Sequence, residues 1–296
     1  MRDGPVRRLL WQAAHVMQRV LGPGAARRTA RLVGSVEGLT EHGVRRVAVR
    51  ISPRLADDNP GLVKVSPAWA ASEVVVRRQG LEVELDLRDN LQAVLYYAGR
   101  YEPAVRRFLR AELRQGDVVL DIGANIGLHA LTAAKRLHEL GGGRVIAFEP
   151  AADCLAKLQT AAERNKLQVE VVPAALGERK HYAALRADSR YDDADAGVRS
   201  LYGDGNVVQE VPVIRLDDWA REHELTRLDV VKLDIEGGEV AALSGAAHTL
   251  TRLQPRAVLV EDKRPELRAR LHAVLDELGY RPTGDVLDHN ALFRPD

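Results

Sequence analysis

Residues 118–127 read Val118-Val119-Leu120-Asp121-Ile122-Gly123-Ala124-Asn125-Ile126-Gly127. Aliphatic and β-branched residues precede an acidic residue, and two glycines follow within a short turn. This order is typical of a buried parallel strand that ends at a carboxylate and turns into a helix. The segment therefore predicts a ligand pocket at the carboxyl edge of a parallel sheet.

A second strand followed by an acid lies downstream, at Val145-Ile146-Ala147-Phe148-Glu149-Pro150. The G-x-G-x-x-G fingerprint of dinucleotide-binding proteins is absent, because Asn125 and Leu128 stand where its later glycines belong. We therefore expect a nucleoside cofactor that carries its own positive charges, S-adenosylmethionine, with Asp121 as the counter-charge. Glu149 is placed to accept hydrogen bonds from two ribose hydroxyls.

Short apolar runs alternate with helical patterns from about residue 100 onward, which is typical of βαβ units. The expected strands are 117–122, 144–149, 168–172, 229–234 and 256–261, and the expected helices are 103–115, 126–140, 151–165, 238–252 and 265–279. Residues 178–210 interrupt this rhythm with polar and small residues, and we expect them to form an irregular excursion. The turn after the third strand, residues 173–177, is expected to lie against an adenine ring or to be a plain β-turn.

The fourth expected strand ends in Asp234-Ile235-Glu236-Gly237-Gly238-Glu239. Buried acids need a partner, so they face a substrate, or they pair with Lys232 and a helix N-terminus. We expect Asp234 to orient or deprotonate the acceptor of the transferred group, with His129 as the second candidate base. Binding of Mg²⁺ by Asp234 and Glu236 is an open alternative, because hard cations take carboxylate oxygens.

The length of 296 residues suits one large α/β domain, expected at 99–296, and an N-terminal extension at 1–98. Within the extension we expect a basic amphipathic helix at 5–21 and a small antiparallel sheet that includes a strand at 44–50 and a hairpin at 73–87. The first fifty residues carry ten arginines against three acids, a charge of +7, so that the remainder carries −6. This arm could contact a membrane surface, nucleic acid or an acidic partner, or be a solvated helix face.

A single cysteine, Cys154, excludes an internal disulfide and favours a reducing compartment. No stretch resembles a membrane span or a signal peptide, so a cytoplasmic location is expected. Nucleic acid is not favoured, since aromatic residues amount to only 4% of the chain. Peripheral membrane contact through 5–21 is not favoured either, and homo-oligomerisation stays open.

The chain resembles the FkbM family of S-adenosylmethionine-dependent methyltransferases over residues 99 to 294. The matching segments are Gly99-Arg100-Tyr101-Glu102-Pro103, residues 116–127, Ala147-Phe148-Glu149-Pro150, Ala175-Leu176-Gly177, Leu216-Asp217-Asp218, Lys232-Leu233-Asp234-Ile235-Glu236-Gly237 and Asn290-Ala291-Leu292-Phe293. The resemblance implies a Rossmann-like, seven-stranded class I methyltransferase sheet with a reversed last strand. It also implies methyl transfer, usually to a hydroxyl of a sugar, a polyketide or another secondary metabolite, so that the expected acceptor is a small molecule or a glycan.

The resemblance further implies a role for each matching residue. The methionine side would be lined by Asp121, Gly123, Ala124, Asn125 and Gly127, the ribose by Glu149, and the adenine by Ala175 and Leu176. Tyr101 and Glu102 would lie in a helix that lids the pocket, with Tyr101 near the cofactor. Alternatives that stay open are N-methylation of an amino sugar, a nicotinamide-dependent oxidoreductase, a nucleic-acid-modifying protein that uses the basic arm, and a protein that only binds the cofactor.

Overall fold

The computed structural model describes residues 73–86, 89, 91–92, 95–96, 100–187, 196 and 199–296. The predicted helix at 5–21, the predicted strand at 44–50 and the arginine-rich arm lie outside the described residues. Within those ranges no helix is both long enough and apolar enough to cross a membrane.

A seven-stranded sheet forms the centre of the protein, in the order β11-β12-β10-β9-β3-β4-β5. The strands are β3 (Val118–Ile122), β4 (Arg144–Phe148), β5 (Glu170–Val172), β9 (Val230–Leu233), β10 (Ala257–Glu261), β11 (Tyr280–Leu287) and β12 (Asn290–Pro295). The pairs from β10 through β9, β3 and β4 to β5 are parallel, whereas β12 is antiparallel to both β10 and β11. The expected α/β class, the seven strands and the reversed last strand are therefore confirmed.

Helices cover both faces of this sheet, because alternate residues of a strand point to opposite sides. On β3, Leu120 and Ile122 join one apolar core, and Val119 joins the other. The helices are α1 (Pro103–Glu112), α2 (Leu128–Glu139), α3 (Ala152–Asn165), α4 (Leu216–Glu222), α5 (Glu239–Ser244), α6 (Ala247–Leu253) and α7 (Pro265–Glu277). The predicted helices agree with these to within a few residues, except that 238–252 is two helices.

Residues 178–210 differ from the sequence-based expectation of an irregular excursion. Strands β6 (Ala175–Leu176), β7 (His181–Arg186) and β8 (Val207–Ile214) form a separate three-stranded sheet in the order β6-β8-β7. Strand β7 pairs antiparallel with β8, and its first two residues are exposed. An edge strand of this kind lacks the continuous apolar run that marks a buried strand, which is why the sequence pattern missed it.

The hairpin of β1 (Glu73–Arg78) and β2 (Leu81–Asp86) is confirmed. Its two-residue turn has positive φ at Gln79 and Gly80, the geometry that suits the twist of paired strands. Leu81 and Val83 are buried in a core that also contains Leu131 of α2 and Ala161 of α3. The hairpin thus packs directly on helices of the main domain, while the domain boundary at residue 98 stays a prediction.

Candidate active site

A cleft with an empty volume of about 970 Å³ opens at the carboxyl ends of β3, β4 and β9. In a parallel sheet this edge is where ligands bind. The predicted residues that line the cleft are Tyr101, Gly123, Ala124, Asn125, His129, Glu149, Ala175, Leu176, Asp234 and Glu236. Asp121 and Gly127 are not among the lining residues.

The glycine turn is held by contacts between protein segments. Gly123, Asn125 and Gly127 have φ of 81°, 51° and 85°, in the left-handed region that favours glycine and tolerates asparagine. A Cβ on Gly123 would lie 1.8 Å from the carbonyl oxygen of Asp234. A Cβ on Gly127 would lie 2.6 Å from Leu158. The space beside each Cα is therefore filled by protein, so neither position admits a side chain, while Gly123 itself lines the cleft.

Asp121 lies in β3, directly before the cleft-lining residues Ile122 and Gly123, and is 2% exposed. Neither of its carboxylate oxygens has a hydrogen-bond partner of normal geometry among the described residues. Burial raises the pKa of Asp121, against the opposing effect of the Lys232 ammonium, which stands at the paired position of the neighbouring strand β9. A buried carboxylate with two unsatisfied oxygens is costly, so the site is suited to a donor or a cation supplied from outside the chain.

Glu149 follows β4 and is 7% exposed. Its Oε2 accepts a hydrogen bond from the Asn125 amide at 2.8 Å, and its Oε1 accepts one from the Ala151 amide at 2.8 Å. Burial raises the pKa of Glu149 to about 7, although both amide contacts favour the ionised form. Each carboxylate oxygen keeps a further lone pair, so Glu149 can still accept two hydroxyl hydrogen bonds.

Asp234 forms an ion pair with Lys232, whose Nζ lies 3.0 Å from Oδ2. The two side chains are 14% and 4% exposed. Burial opposes ionisation of Asp234, but Lys232 and Lys263 outweigh it and hold the pKa of the carboxyl well below its usual range. Likewise, burial disfavours the Lys232 ammonium, but Asp234, Glu102 and Asp121 keep its pKa above its usual value. Asp234 is therefore a stable hydrogen-bond acceptor and a weak base.

A group of three carboxylates lies beside this pair. Oxygens of Asp234, Glu236 and Glu261 come within 4.8 Å of one another, a spacing that suits a cation. Lys263 already contacts Glu261, and its Nζ lies 3.7 Å from Glu236. Burial together with Asp234 raises the pKa of Glu261 to about 9. The cluster thus contains its own ammonium counter-charge.

Tyr101 and Glu102 precede α1 instead of lying within it, which corrects the expectation of a helical lid. Glu102 is the N-cap residue, with φ of 39°. Its Oε2 lies 2.7 Å from Nε2 of His129, and both side chains are buried. The rings of Tyr101 and His129 are 6.1 Å apart. The segment before α1 therefore contributes directly to the cleft.

Sequence reasoning missed the part of the cleft wall formed by residues 199–202. Arg199, Ser200, Leu201 and Tyr202 line the cleft, and the Ser200 hydroxyl donates a hydrogen bond to the Glu236 carbonyl at 2.8 Å. Ala175 and Leu176 belong to β6, which forms part of the same wall. Glu261 was missed as well, although an acid at the end of a strand is the signal that identified Glu149.

The family model described as Methyltransferase FkbM domain matches residues 121–282. The hexuronic acid methyltransferase AglP of Haloferax volcanii is 28% identical over 154 residues, covering 51% of this chain and 59% of that protein. The 31-O-demethyl-FK506 methyltransferase FkbM of Streptomyces tacrolimicus is 32% identical over 172 residues, covering 47% of this chain and 64% of that protein.

The chain therefore spans less than two thirds of the length of these two relatives. A crystal structure of a methyltransferase FkbM from Methylobacillus flagellatus has 18% sequence identity and a TM-score of 0.45, covering 70% of this chain and 52% of that one. The family match extends over more than half of the 296 residues and contains the glycine turn, Glu149 and Asp234. The chain belongs to the FkbM methyltransferase family.

Proposed function

We propose that the protein is an S-adenosylmethionine-dependent methyltransferase that methylates a hydroxyl group on a sugar-like small molecule, a glycan or another secondary metabolite. One observation carries the proposal. Asp121 near the end of β3 and Glu149 just after the neighbouring parallel strand β4 lie at this edge of the sheet, and neither buried oxygen of Asp121 has a hydrogen-bond partner of normal geometry among the described residues. This arrangement offers negative charge to a cationic ligand and hydrogen-bond acceptors to its ribose.

The residues present fit this cofactor. S-adenosylmethionine supplies an electrophilic methyl group on a positively charged sulfur. Asp121 offers unsatisfied negative charge toward the methionine end, and Glu149 has lone pairs for the two ribose hydroxyls. Ala175 and Leu176 present small and apolar side chains for the adenine. Tyr101 closes the cleft from the segment before α1, where its ring lies beside His129.

Asp234 positions the acceptor in this proposal. Its carboxylate lines the cleft and is kept ionised by Lys232. An ionised carboxylate accepts a hydrogen bond from a hydroxyl and so aims the oxygen lone pair at the methyl carbon. Methyl transfer is an in-line displacement in which such positioning supplies much of the acceleration.

The acceptor class rests on the names of the relatives. One is a hexuronic acid methyltransferase and another acts on 31-O-demethyl-FK506. The first name points to a sugar acid as the acceptor, and the second to a methylated oxygen. N-methylation of an amino sugar is the alternative. An amine with a free lone pair needs no base, so it would leave the ionisable groups beside Asp234 without a role in proton removal.

The test separates cofactor binding from transfer. Calorimetric titration with S-adenosylmethionine comes first, followed by transfer of a labelled methyl group to hexuronic acids, neutral sugars, amino sugars and macrolide alcohols. Asp234→Asn should lower kcat by about 100-fold and change cofactor affinity little, because it disturbs acceptor placement. Asp276→Asn, which removes an exposed carboxylate ion-paired with Arg281, is the matched control. Wild-type turnover in Asp234→Asn would remove its role, and labelling of amino sugars alone would replace O-methylation by N-methylation.

A further inference from the structure

A buried pair, Glu102 and His129, joins the segment before α1 to the cleft. Nε2 of the histidine lies 2.7 Å from Oε2 of the glutamate, and the two side chains are 9% and 7% exposed. His129 lines the cleft, and Glu102 does not. Methyl transfer to a hydroxyl releases a proton, and the ionised Asp234 is a poor acceptor for it.

Glu102 is the N-cap residue of α1. The residues that usually cap a helix, Ser, Thr, Asp and Asn, accept hydrogen bonds from its first amides. Here the Glu102 side chain makes no such bond, and Oδ2 of Asp288, from the turn between β11 and β12, accepts those of the Ala104 and Val105 amides. Glu102 also has φ of 39°, a conformation disfavoured for a residue with a Cβ. The capping role is thus transferred to Asp288, and the Glu102 carboxylate is directed to His129.

This contact sets the tautomer of the imidazole. A carboxylate accepts hydrogen bonds and cannot donate them, so Nε2 must carry the proton when Glu102 is ionised. The Lys232 ammonium interacts electrostatically with the Glu102 carboxylate, which helps to keep the pKa of Lys232 above its usual value. In a neutral imidazole with Nε2–H, the other nitrogen, Nδ1, holds a lone pair.

Nδ1 of His129 is buried and has no hydrogen-bond partner in the part of the chain that the structure describes. The charged and titratable groups around the ring are Glu102, Tyr101, Asp121 and Asp234, with Lys232 beside the three carboxylates. A proton taken up at Nδ1 would create an imidazolium next to Glu102, Asp121 and Asp234. These carboxylates stabilise that charge, as the acidic partner of a catalytic histidine does.

We propose that Glu102 is a positioning residue that fixes His129 with its proton on Nε2, and that Nδ1 of His129 accepts the proton of the acceptor hydroxyl. The inference rests on the proposed function. As the new O–CH3 bond forms, the S–CH3 bond breaks and its electron pair stays on sulfur, while the O–H proton passes to Nδ1. Because Nδ1 of His129 is buried, neighbouring side chains of the cleft must move away from it when the acceptor binds.

The tautomer can be measured without any acceptor. In protein labelled with ¹⁵N-histidine, the ring nitrogens report which of them is protonated, and the spectrum of His129→Gln identifies the signal of His129 among the nine histidines. At neutral pH the wild type should show Nε2–H. Glu102→Gln should shift His129 toward Nδ1–H, because the amide can donate to Nε2. A wild type with Nδ1–H, or with both nitrogens protonated, overturns the inference.

Kinetics give the second readout. Glu102→Gln should lower kcat by about 100-fold or more, as expected for loss of a general base, and leave S-adenosylmethionine affinity within about threefold. Glu102→Asp keeps a carboxylate and should recover part of kcat. In the His129→Gln background, Glu102→Gln should cause no further loss, since a positioning residue acts only through its partner.

Three outcomes separate the two proposals. A wild type that does not bind S-adenosylmethionine removes the proposed function. A wild type that transfers methyl groups, with Glu102→Gln equally active, removes this inference alone. Additive losses in the double variant assign Glu102 a structural role only and also overturn it, and thermal melting of each variant establishes that it is folded.

Discussion

Lys232 and Asp234 form a buried ion pair in which Nζ lies 3.0 Å from Oδ2. Lys232 belongs to β9 and is also in register with Asp121 of the neighbouring strand β3. One ammonium therefore balances two carboxylates of the site. Asp234 stays ionised, and among the described residues the Asp121 oxygens have no hydrogen-bond partner of normal geometry. This sharing of one cation explains how three ionisable residues are tolerated at the centre of the sheet.

Removal of Lys232 alone should lower the free energy of unfolding more than removal of Lys232 together with the charge of Asp234. Lys232→Met removes the ammonium that pairs with Asp234 and is in register with Asp121, which leaves Lys263 as the other cation acting on Asp234, and should lower the free energy of unfolding by about 3–5 kcal/mol. Adding Asp234→Asn to Lys232→Met should restore part of that loss, with a coupling of about 1–3 kcal/mol in a double-mutant cycle. Urea denaturation of the four proteins measures it. Strictly additive losses would mean that the pair contributes nothing to stability.

Gly123 should be intolerant of any side chain for a reason that Gly279 does not share. Gly123 and Gly279 have nearly the same φ, 81° and 82°. A Cβ added to Gly123 would lie 1.8 Å from the carbonyl oxygen of Asp234, whereas a Cβ added to Gly279 would have no atom within 4 Å. Gly279→Ala therefore reports the conformational strain alone, about 1–2 kcal/mol. Gly123→Ala should cost about 3 kcal/mol more. Equal losses by urea denaturation would show that the close approach is unimportant.

Glu149 should make the protein less stable as the pH rises toward neutrality. Its pKa is about 7 in the folded protein against an ordinary 4.5, because it is buried. Between these values the folded state binds more protons than the unfolded state, so the free energy of unfolding falls with rising pH. The contribution of Glu149 protonation to the free energy of unfolding is fully present below pH 4.5 and is lost above pH 7, a change of about 3 kcal/mol.

Glu149→Gln removes this titration. The difference in unfolding free energy between wild type and variant, measured by urea denaturation from pH 4.5 to 8, should therefore change with pH in that window. A constant difference contradicts a raised pKa. A pH-independent loss of unfolding free energy is expected in addition, because the glutamine side chain cannot accept hydrogen bonds from both the Asn125 and Ala151 amides.

Methyl transfer should not depend on Mg²⁺. Lys263 contacts Glu261 and lies near Glu236, so an ammonium already neutralises the carboxylates that a cation would bind. Turnover after treatment with EDTA should equal that of the untreated enzyme. Loss of activity that MgCl2 restores would instead assign Asp234, Glu236 and Glu261 as metal ligands.

The sequence predicted the parallel sheet well, because buried parallel strands are continuous apolar runs with helices between them. It also placed Asp121, Glu149 and Asp234 at one edge, since the carboxyl ends of parallel strands meet there. Strand β7 was missed because its first two residues are exposed and it lacks the continuous apolar run of a buried strand. The split of the predicted helix 238–252 at Gly245 depends on a close approach to the Gly177 carbonyl, which no local pattern records.

The partners of the site residues could not be predicted. Sequence spacing left open whether Asp234 faces a substrate or pairs with Lys232, and the structure shows the ion pair and a cleft-lining position together. Glu102 and His129 are 27 residues apart and meet because α1 and α2 pack side by side. Replacement of the usual N-cap contact by Asp288 depends on a turn almost two hundred residues away in the chain.

Cofactor affinity in an Asp121 variant tests the central claim most directly. Asp121→Asn keeps the size of the side chain and removes its charge, and circular dichroism checks that the variant is folded. By calorimetry the wild type should bind S-adenosylmethionine, and Asp121→Asn should bind it about 100-fold more weakly, because a buried counter-charge is lost. Asp276→Asn should bind like the wild type. Equal affinities of wild type and Asp121→Asn, or a wild type that does not bind S-adenosylmethionine, would contradict the account.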